Sequence, residues 1–181
     1  EKNTSAISCF AMKEKFVQAH MEAAGVYARL SSAKRLQVGC VIVKNNTIIG
    51  IGYNGMPSGW DNECEVVDYV DETGQDYDKM IADGYTFGAT SEVAGYVRRI
   101  TKPEVMHAET NAIAKVARST NSTEDADMFV TCSPCLECAK LIHQSGIRRV
   151  FYEHTYRNDD GLKFLEMCGI ETNHIKTEDN K

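Results

Sequence analysis

The run Met128-Phe129-Val130-Thr131-Cys132-Ser133-Pro134-Cys135-Leu136-Glu137-Cys138-Ala139-Lys140-Leu141-Ile142-His143-Gln144-Ser145-Gly146 changes character halfway along. Met128 to Cys132 is apolar or β-branched, the pattern of a strand buried in a sheet. Pro134 stops that strand and pre-sets the turn into a helix. The helix reads from Cys135 to Gln144 and ends at Gly146. The same order continues downstream, with a strand over 149–152, a helix over 162–168 ending at Gly169, and a short strand over 170–175. Upstream, 107–119 reads as a helix. Nearer the start, Phe16, Val17, Met21, Ala24 and Tyr27 recur at helical spacing within 13–30. Residues 38–43 and 47–53 are apolar and β-branched, and Asn45-Asn46 between them suits a tight turn, so they read as a β-hairpin. A hairpin followed by alternating helices and strands predicts an α/β fold, a three-layer α-β-α sandwich around a mixed five-stranded sheet.

Residues 61–104 break this order. Asp and Glu are dense up to Asp83, glycines recur at 74, 84, 88 and 95, and no period emerges. The segment reads as an irregular insertion, with room for a short helix, in a single domain spanning 1–181. A long loop inside a compact domain is usually functional. Glu1 to Phe10 reads as weakly structured.

Composition narrows the function classes. The 181 residues are 43% hydrophobic and 25% charged, with a formal net charge of −6. Lys and Arg never run longer than a pair, whereas a protein tracking a polynucleotide carries a basic stripe. A small substrate is therefore expected, and no polynucleotide. No apolar stretch approaches the roughly 20 residues that span a bilayer, so no membrane partner is expected. No basic region leads into an apolar run, so no export signal is legible. Seven cysteines then point to a reducing, cytoplasmic setting, where thiols bind metal or sit in the core.

Two short pieces carry the chemistry. Cys135 and Cys138 stand at i and i+3, so both sulfurs leave one face of a first helical turn. The N–H groups of a helix start favour negative charge and so favour thiolates. His107, opening the other helix, supplies a third ligand. Three protein ligands leave the fourth tetrahedral position open, the arrangement of a catalytic zinc. Glu109, two residues on, lies about 200° around a helix from His107 and suits a general base better than a ligand. Alone, a C-x-x-C is also the mark of a redox pair or half a structural zinc site. Cys132 forms an overlapping C-x-x-C with Cys135 but lies at a strand end, so it reads as packing. Cys9, Cys40, Cys64 and Cys168 read as ordinary thiols, and His20, His143, His154 and His174 as surface or helix residues.

H-x-E followed by P-C-x-x-C is the zinc-deaminase signature. With it, the chain resembles the cytidine deaminase superfamily, and within it the deoxycytidylate deaminases. The resemblance runs from about Met12 to Ile175. It rests on Val38-Gly39-Cys40, Gly52-Tyr53-Asn54-Gly55-Met56-Pro57-Ser58-Gly59, His107-Ala108-Glu109-Thr110-Asn111-Ala112-Ile113, Ser133-Pro134-Cys135-Leu136-Glu137-Cys138-Ala139-Lys140, Gln144-Ser145-Gly146-Ile147 and Tyr156. The glycine-rich piece is the discriminating one, because superfamily members acting on other cytosine, guanine or adenine substrates share the rest.

The resemblance implies hydrolysis of dCMP to dUMP and ammonia, with one Zn²⁺ per chain on His107, Cys135 and Cys138. Glu109 would shuttle the proton. Asn54 would hold the sugar or base, Tyr156 would lie at the nucleotide, the Ala108 N–H would face the pyrimidine O2, and the Cys132 and Ser133 backbone would lie near the departing amine. Arg29 and Arg118 would meet the phosphate or a subunit boundary. It further implies a homo-oligomer, often a hexamer, activated by dCTP and inhibited by dTTP with Mg²⁺. The effector would lie at Gly55, Met56, Ser58 and Gly59. Taken by itself that loop lacks G-K-[ST], so it is no P-loop and reads as a turn.

Overall fold

The computed structural model of the chain describes residues 12–71, 76–89 and 94–176. Glu1 to Phe10, Cys9 among them, and Gly74 lie outside the described residues. The elements run α1 (Glu14–Ala28), β1 (Gly39–Lys44), β2 (Thr47–Tyr53), β3 (Glu65–Asp71), α2 (Tyr77–Ala82), β4 (Thr86–Ala89) and β5 (Ala94–Thr101). They continue as α3 (Ala108–Ala117), β6 (Asp127–Cys132), α4 (Leu136–Gln144), β7 (Arg149–His154), α5 (Asp160–Met167) and β8 (Glu171–His174).

The central sheet has the order β2-β1-β6-β7-β8. Strand β1 is antiparallel to both β2 and β6, while β6, β7 and β8 run parallel, so the sheet is mixed as expected. Asn45 and Asn46 take φ of 51° and 59°, the left-handed pair that closes a two-residue hairpin with the sheet's own twist.

Alternation along β1 divides the core. Val41 and Val43, with Phe129 and Phe151, face Val17, Met21 and Ala24 of α1. Cys40 and Ile42 point the other way, joining Met128, Val130 and Val150 against Ala112 and Val116 of α3, Ile142 of α4 and Leu165 of α5. Each buried Val, Ile, Leu, Met or Phe among them contributes about 1.5–3 kcal/mol, so both helical layers are fastened by the same strands. His20, expected as a surface or helix residue, is a buried residue of α1, its Nε2 3.1 Å from Asn46 Oδ1 at the hairpin turn.

The reading of 61–104 as irregular is corrected. Its described residues form a second, antiparallel sheet of order β3-β5-β4 with the short helix α2. Seven residues of β3 pair with β5 in unbroken register, Glu65 with Thr101 through Asp71 with Gly95. Asp76 caps α2, its Oδ1 accepting from Asp78 N at 3.1 Å and Lys79 N at 3.3 Å. Met80 and Tyr85 pack on Tyr96 in a small core. The buried Glu65 ties this sheet to the loop before β1, accepting from Lys34 N at 2.9 Å and Arg35 N at 3.2 Å. No helix among the described residues is long and apolar enough to cross a membrane.

Candidate active site

Helices α3 and α4 both begin beside the carboxyl end of β6, and each puts a candidate ligand at its N-cap. His107 precedes α3 with φ −75° and ψ 156°, and Cys135 precedes α4 with φ −71° and ψ 168°. These extended residues turn their side chains across the helix axis, so His107 meets the sulfurs from outside α3. The expected separation of about 200° around one helix therefore does not apply, since only Glu109 lies inside the helix. Close packing fixes the start of α3: a Cβ at Gly52 of β2 would lie against Ala108 O and 2.6 Å from Ala112 N. The start of α5 is seated the same way, since a Cβ at Gly161 would run into the Pro134 carbonyl.

His107 Nδ1 lies 3.6 Å from Cys135 Sγ and 3.3 Å from Cys138 Sγ, and the three ligand atoms fall within 4.8 Å of one another. A tetrahedral zinc with ordinary Zn–S and Zn–N bonds holds S and N about 3.5 Å apart. The donor set and its spacing fit that ion. Cys132 is outside the cluster, and burial and the nearby Glu109 and Cys135 charges push its thiol up to about 11, so it stays a packing residue.

Electrostatics in the cluster are those of a shared proton. Hydrogen bonds from Cys138 and His107 pull the Cys135 thiol down to about 3. Cys138 moves up because it donates to Cys135 and is buried. The hydrogen bond to Cys135 raises His107, opposed by burial and assisted by Glu109. A cation seated among these atoms replaces the shared proton, which is why such sites release protons on metal binding. Glu109 is 4% exposed, and burial raises its carboxyl above the usual range, so it can hold a proton next to the cluster.

His107, Glu109 and Cys135 line a cavity of about 400 Å³. Of the residues expected at the substrate, Asn54, Ala108, Ser133 and Tyr156 all line it. Asn54 is already committed at both ends of its amide: Oδ1 accepts from Val38 N at 2.8 Å and Nδ2 donates to Leu36 O at 2.8 Å. It therefore shapes the wall by holding residues 36–38. Ser133 is buried, donates its N–H to His154 O at 2.8 Å, and accepts from Tyr156 N on Oγ at 2.8 Å. That bond holds Tyr156 in the cavity wall.

Arg29 and Arg118, expected at the phosphate or a subunit boundary, are the exposed C-caps of α1 and α3, and neither lines the cavity of this chain. Arg118 is a whole helix away from His107, about 15 Å for ten residues. The arginines that line the cavity are Arg35 and Arg157, and Glu65 and Thr101 of the second sheet line it too. Sequence reasoning passed over these four. Arg157 was within reach, being the neighbour of Tyr156, whereas Arg35, Glu65 and Thr101 meet only through pairing of the second sheet.

Gly55, Met56, Ser58 and Gly59 do not line the cavity. Gly55 exchanges two backbone hydrogen bonds with Met106, at 3.1 and 2.9 Å, which hooks the loop to the residue before His107. Gly59 has φ +89°, where glycine is strongly favoured, and a Cβ at Gly55 or Gly59 would meet open space.

The family model described as the cytidine and deoxycytidylate deaminase zinc-binding region matches residues 14–154. A deoxycytidylate deaminase of Enterobacteria phage T4 is 40% identical over 156 residues, covering 77% of this chain and 79% of its own. The Homo sapiens deoxycytidylate deaminase is 34% identical over 143 residues, covering 77% of this chain and 66% of its own. Among solved structures, a dCMP deaminase from the cyanophage S-TIM5 in complex with dCMP and dUMP superposes with a TM-score of 0.70 at 32% identity. It covers 91% of this chain and 99% of its own.

Proposed function

The chain belongs to the cytidine and deoxycytidylate deaminase zinc-binding family, and from that premise we propose that it hydrolyses dCMP to dUMP and ammonia. The observation that carries the reading is Glu109, a buried carboxyl beside the convergent His107, Cys135 and Cys138, at the wall of a cavity that also takes Asn54, Ala108 and Tyr156. His107 Nδ1 and the two sulfurs would hold one zinc ion. When bound there, zinc supplies a water acidic enough to act near neutral pH.

The other steps belong to the chain's own groups. Glu109 accepts a proton from the attacking water and delivers it to the pyrimidine N3, which makes C4 electrophilic. Oxygen adds to C4. The second proton passes through Glu109 to the exocyclic amine, the C4–N bond breaks, and ammonia leaves dUMP behind. One water enters and one ammonia departs. The Ala108 N–H, in the first turn of α3 where helix geometry provides no intrahelical acceptor, faces O2 of the ring. The Cys132 and Ser133 backbone lies near the departing amine, and Tyr156 covers the nucleotide.

Regulation is part of the same proposal. Gly55 to Gly59 lie off the cavity, and Gly55 joins the backbone just before His107, which suits an effector that reaches the cluster without occupying it. A triphosphate beside the acidic 61–83 stretch needs a divalent cation to bridge phosphates and carboxylates, so dCTP as activator and dTTP as inhibitor would bind with Mg²⁺. Opposite effects require that each nucleotide favour a different state of a homo-oligomer, a hexamer by resemblance. The six described cysteines are free thiols, in keeping with a cytoplasmic enzyme.

The deciding measurement is ammonia release from dCMP, CMP, deoxycytidine and dCTP side by side, with and without Mg²⁺, dCTP and dTTP. Turnover concentrated on dCMP is the expected result. Turnover on the other compounds but not on dCMP overturns the substrate, and dTTP inhibition that is purely competitive overturns the effector site.

A further inference from the structure

Strand β5 outruns one of its two neighbours. On one side β3 pairs with it as far as Thr101, but on the other β4 stops at Thr86, opposite Val97. Residues 98–101 therefore have no strand beside them on the β4 side among the described residues. The register says which backbone groups are left open. Successive residues of a strand turn their N–H and C=O to opposite sides. Lys102, just past β5, donates its N–H to Cys64 O on the β3 side at 2.9 Å. Ile100 and Arg98 therefore face β3 as well, and Arg99 and Thr101 face the open side. Among the described residues, neither Arg99 nor Thr101 makes a backbone hydrogen bond there.

A groove of about 790 Å³ lies at this edge. Val97 to Ile100 line it in unbroken succession, together with residues 82–84 and Thr86, which lead into β4. Successive residues point to opposite faces of a sheet, so the groove sits where β4 would continue and not on a face. Its charge is one-sided: four arginines line it, with Asp83 the single acidic residue, in a chain of formal net charge −6. Arg98 is engaged, with Nη1 donating to Asp83 O and Nη2 to Asp68 Oδ2, each at 3.1 Å. Arg35, Arg99 and Arg157 are exposed and, among the described residues, take part in no ion pair.

We propose that this groove receives an acidic, extended peptide segment of a partner protein, which pairs with Arg99 and Thr101 as the continuation of β4. An open edge offers donors and acceptors in alternation. A peptide backbone answers both, whereas the phosphates of a polynucleotide accept only and leave the two carbonyls unmet. A lone charge on an edge strand serves to keep other strands away. Here the positive charge is gathered from three separate segments, the loop before β1, β5 and the residues after β7, which blunting an edge does not require. A second copy of this chain fits poorly, because two such edges brought together would set arginine against arginine. The edge also specifies a pattern. Arg99 is on one face, and Ile100 is on the other beside its exposed register partner Val66, so acidic and apolar side chains should alternate along the peptide.

The probe is a short synthetic peptide alternating Glu and Val, titrated calorimetrically into the full chain. It should bind at a single site. Arg99→Glu should weaken it by about 10- to 100-fold, the worth of hydrogen bonds to a charged group. Arg35 and Arg157 also line the substrate cavity, whereas Arg99 does not, so Arg99→Glu should keep its urea midpoint and its bound zinc. A peptide of the same sequence, N-methylated where it faces the edge, keeps its charge and loses its donors. It should bind about 2- to 10-fold more weakly for each bond removed. Hydrogen exchange at the Arg99 and Thr101 amides should slow when the unmethylated peptide is present. Absence of binding overturns the proposal, and equal binding of the methylated peptide overturns strand pairing by reducing the site to charge. Tighter, Arg99-dependent binding of single-stranded DNA or inorganic tripolyphosphate would give the groove to a phosphate polyanion instead. Slow exchange at both amides before any peptide is added, lost on dilution of the protein, would give the edge to a second copy.

Discussion

Gly52→Ala tests whether the packing of α3 on β2 sets the catalytic geometry. A Cβ at residue 52 would lie 2.6 Å from Ala112 N, about 0.9 Å inside the roughly 3.5 Å at which such atoms pack, and it would also collide with Ala108 O. Both contacts are helix backbone, which no rotamer change can relieve. The helix must lift or the strand must bend. Overpacking of this kind costs about 1–3 kcal/mol, or roughly 2–12 °C in Tm for a chain this size. Because α3 delivers His107 and Glu109 while α4 delivers Cys135 and Cys138, lifting one helix shifts the carboxyl relative to the sulfurs. A displacement near 1 Å costs about 100-fold in rate. Gly52→Ala should therefore lose stability and lose roughly 10- to 100-fold in kcat for dCMP. Gly55→Ala is the control, since a Cβ there would have no atom within 4 Å and the residue's φ is not positive. It should match the unmodified protein in stability or gain about 0.4–1 kcal/mol. Urea midpoints, ammonia release and bound zinc per chain measure all three quantities. Unchanged midpoint and kcat in Gly52→Ala would refute the reasoning.

Glu109→Gln should keep its zinc and lose about 10²–10⁴-fold in turnover, because the ligands are intact and only the proton carrier is gone; near-normal turnover in the zinc-loaded variant removes Glu109 from that role. Cys135→Ala should lose metal and activity together, as read by metal analysis of the purified protein; stoichiometric zinc in this variant would point to Cys132 as the ligand. Asp127→Asn should destabilise by about 3–5 kcal/mol, because it leaves two guanidinium groups facing a neutral amide at the start of β6. Burial pushes the Asp127 carboxyl up, but hydrogen bonds from Arg149 and Arg148 more than offset this and hold it below its usual value. A carboxyl lowered on folding contributes stability above its unfolded pKa and loses it as pH falls through the folded one. Acid titration of urea midpoints should therefore show a steeper loss below about pH 4 in the parent than in Asp127→Asn.

The difference between what the sequence disclosed and what it hid follows the range of the interactions. His107, Cys135 and Cys138 were legible because caps and i, i+3 spacing are local, and Pro134 fixes where α4 starts whatever the rest of the chain does. The hairpin was legible because Asn45-Asn46 signals its own backbone conformation. The second sheet was hidden because its strands are held by pairing across some thirty residues, as Asp68 with Arg98, rather than by a hydrophobic period. On β3 the residues Val66 and Val67 are both about half exposed, so alternation never appears there. The arginines of the cavity wall were hidden for the same reason. Arg29 and Arg118 lie near motifs in sequence yet sit at the far caps of their helices, whereas Arg35 and Glu65, thirty residues apart, share a hydrogen bond.

That last pairing gives the insertion a purpose that its composition obscured. An acidic segment beside an anionic substrate would be a liability if its carboxylates faced the cavity. In this fold the nearest of them, Glu65, is buried and turned onto backbone N–H groups, so its charge is consumed in placing Arg35. Asp68 is likewise engaged by Arg98 and Tyr85. Strand register decides this outcome: slipping β3 by one residue would exchange its two faces and carry Glu65 away from the loop. The unbroken seven-residue pairing of β3 with β5 therefore protects the electrostatics of the cavity as much as the fold of the sheet.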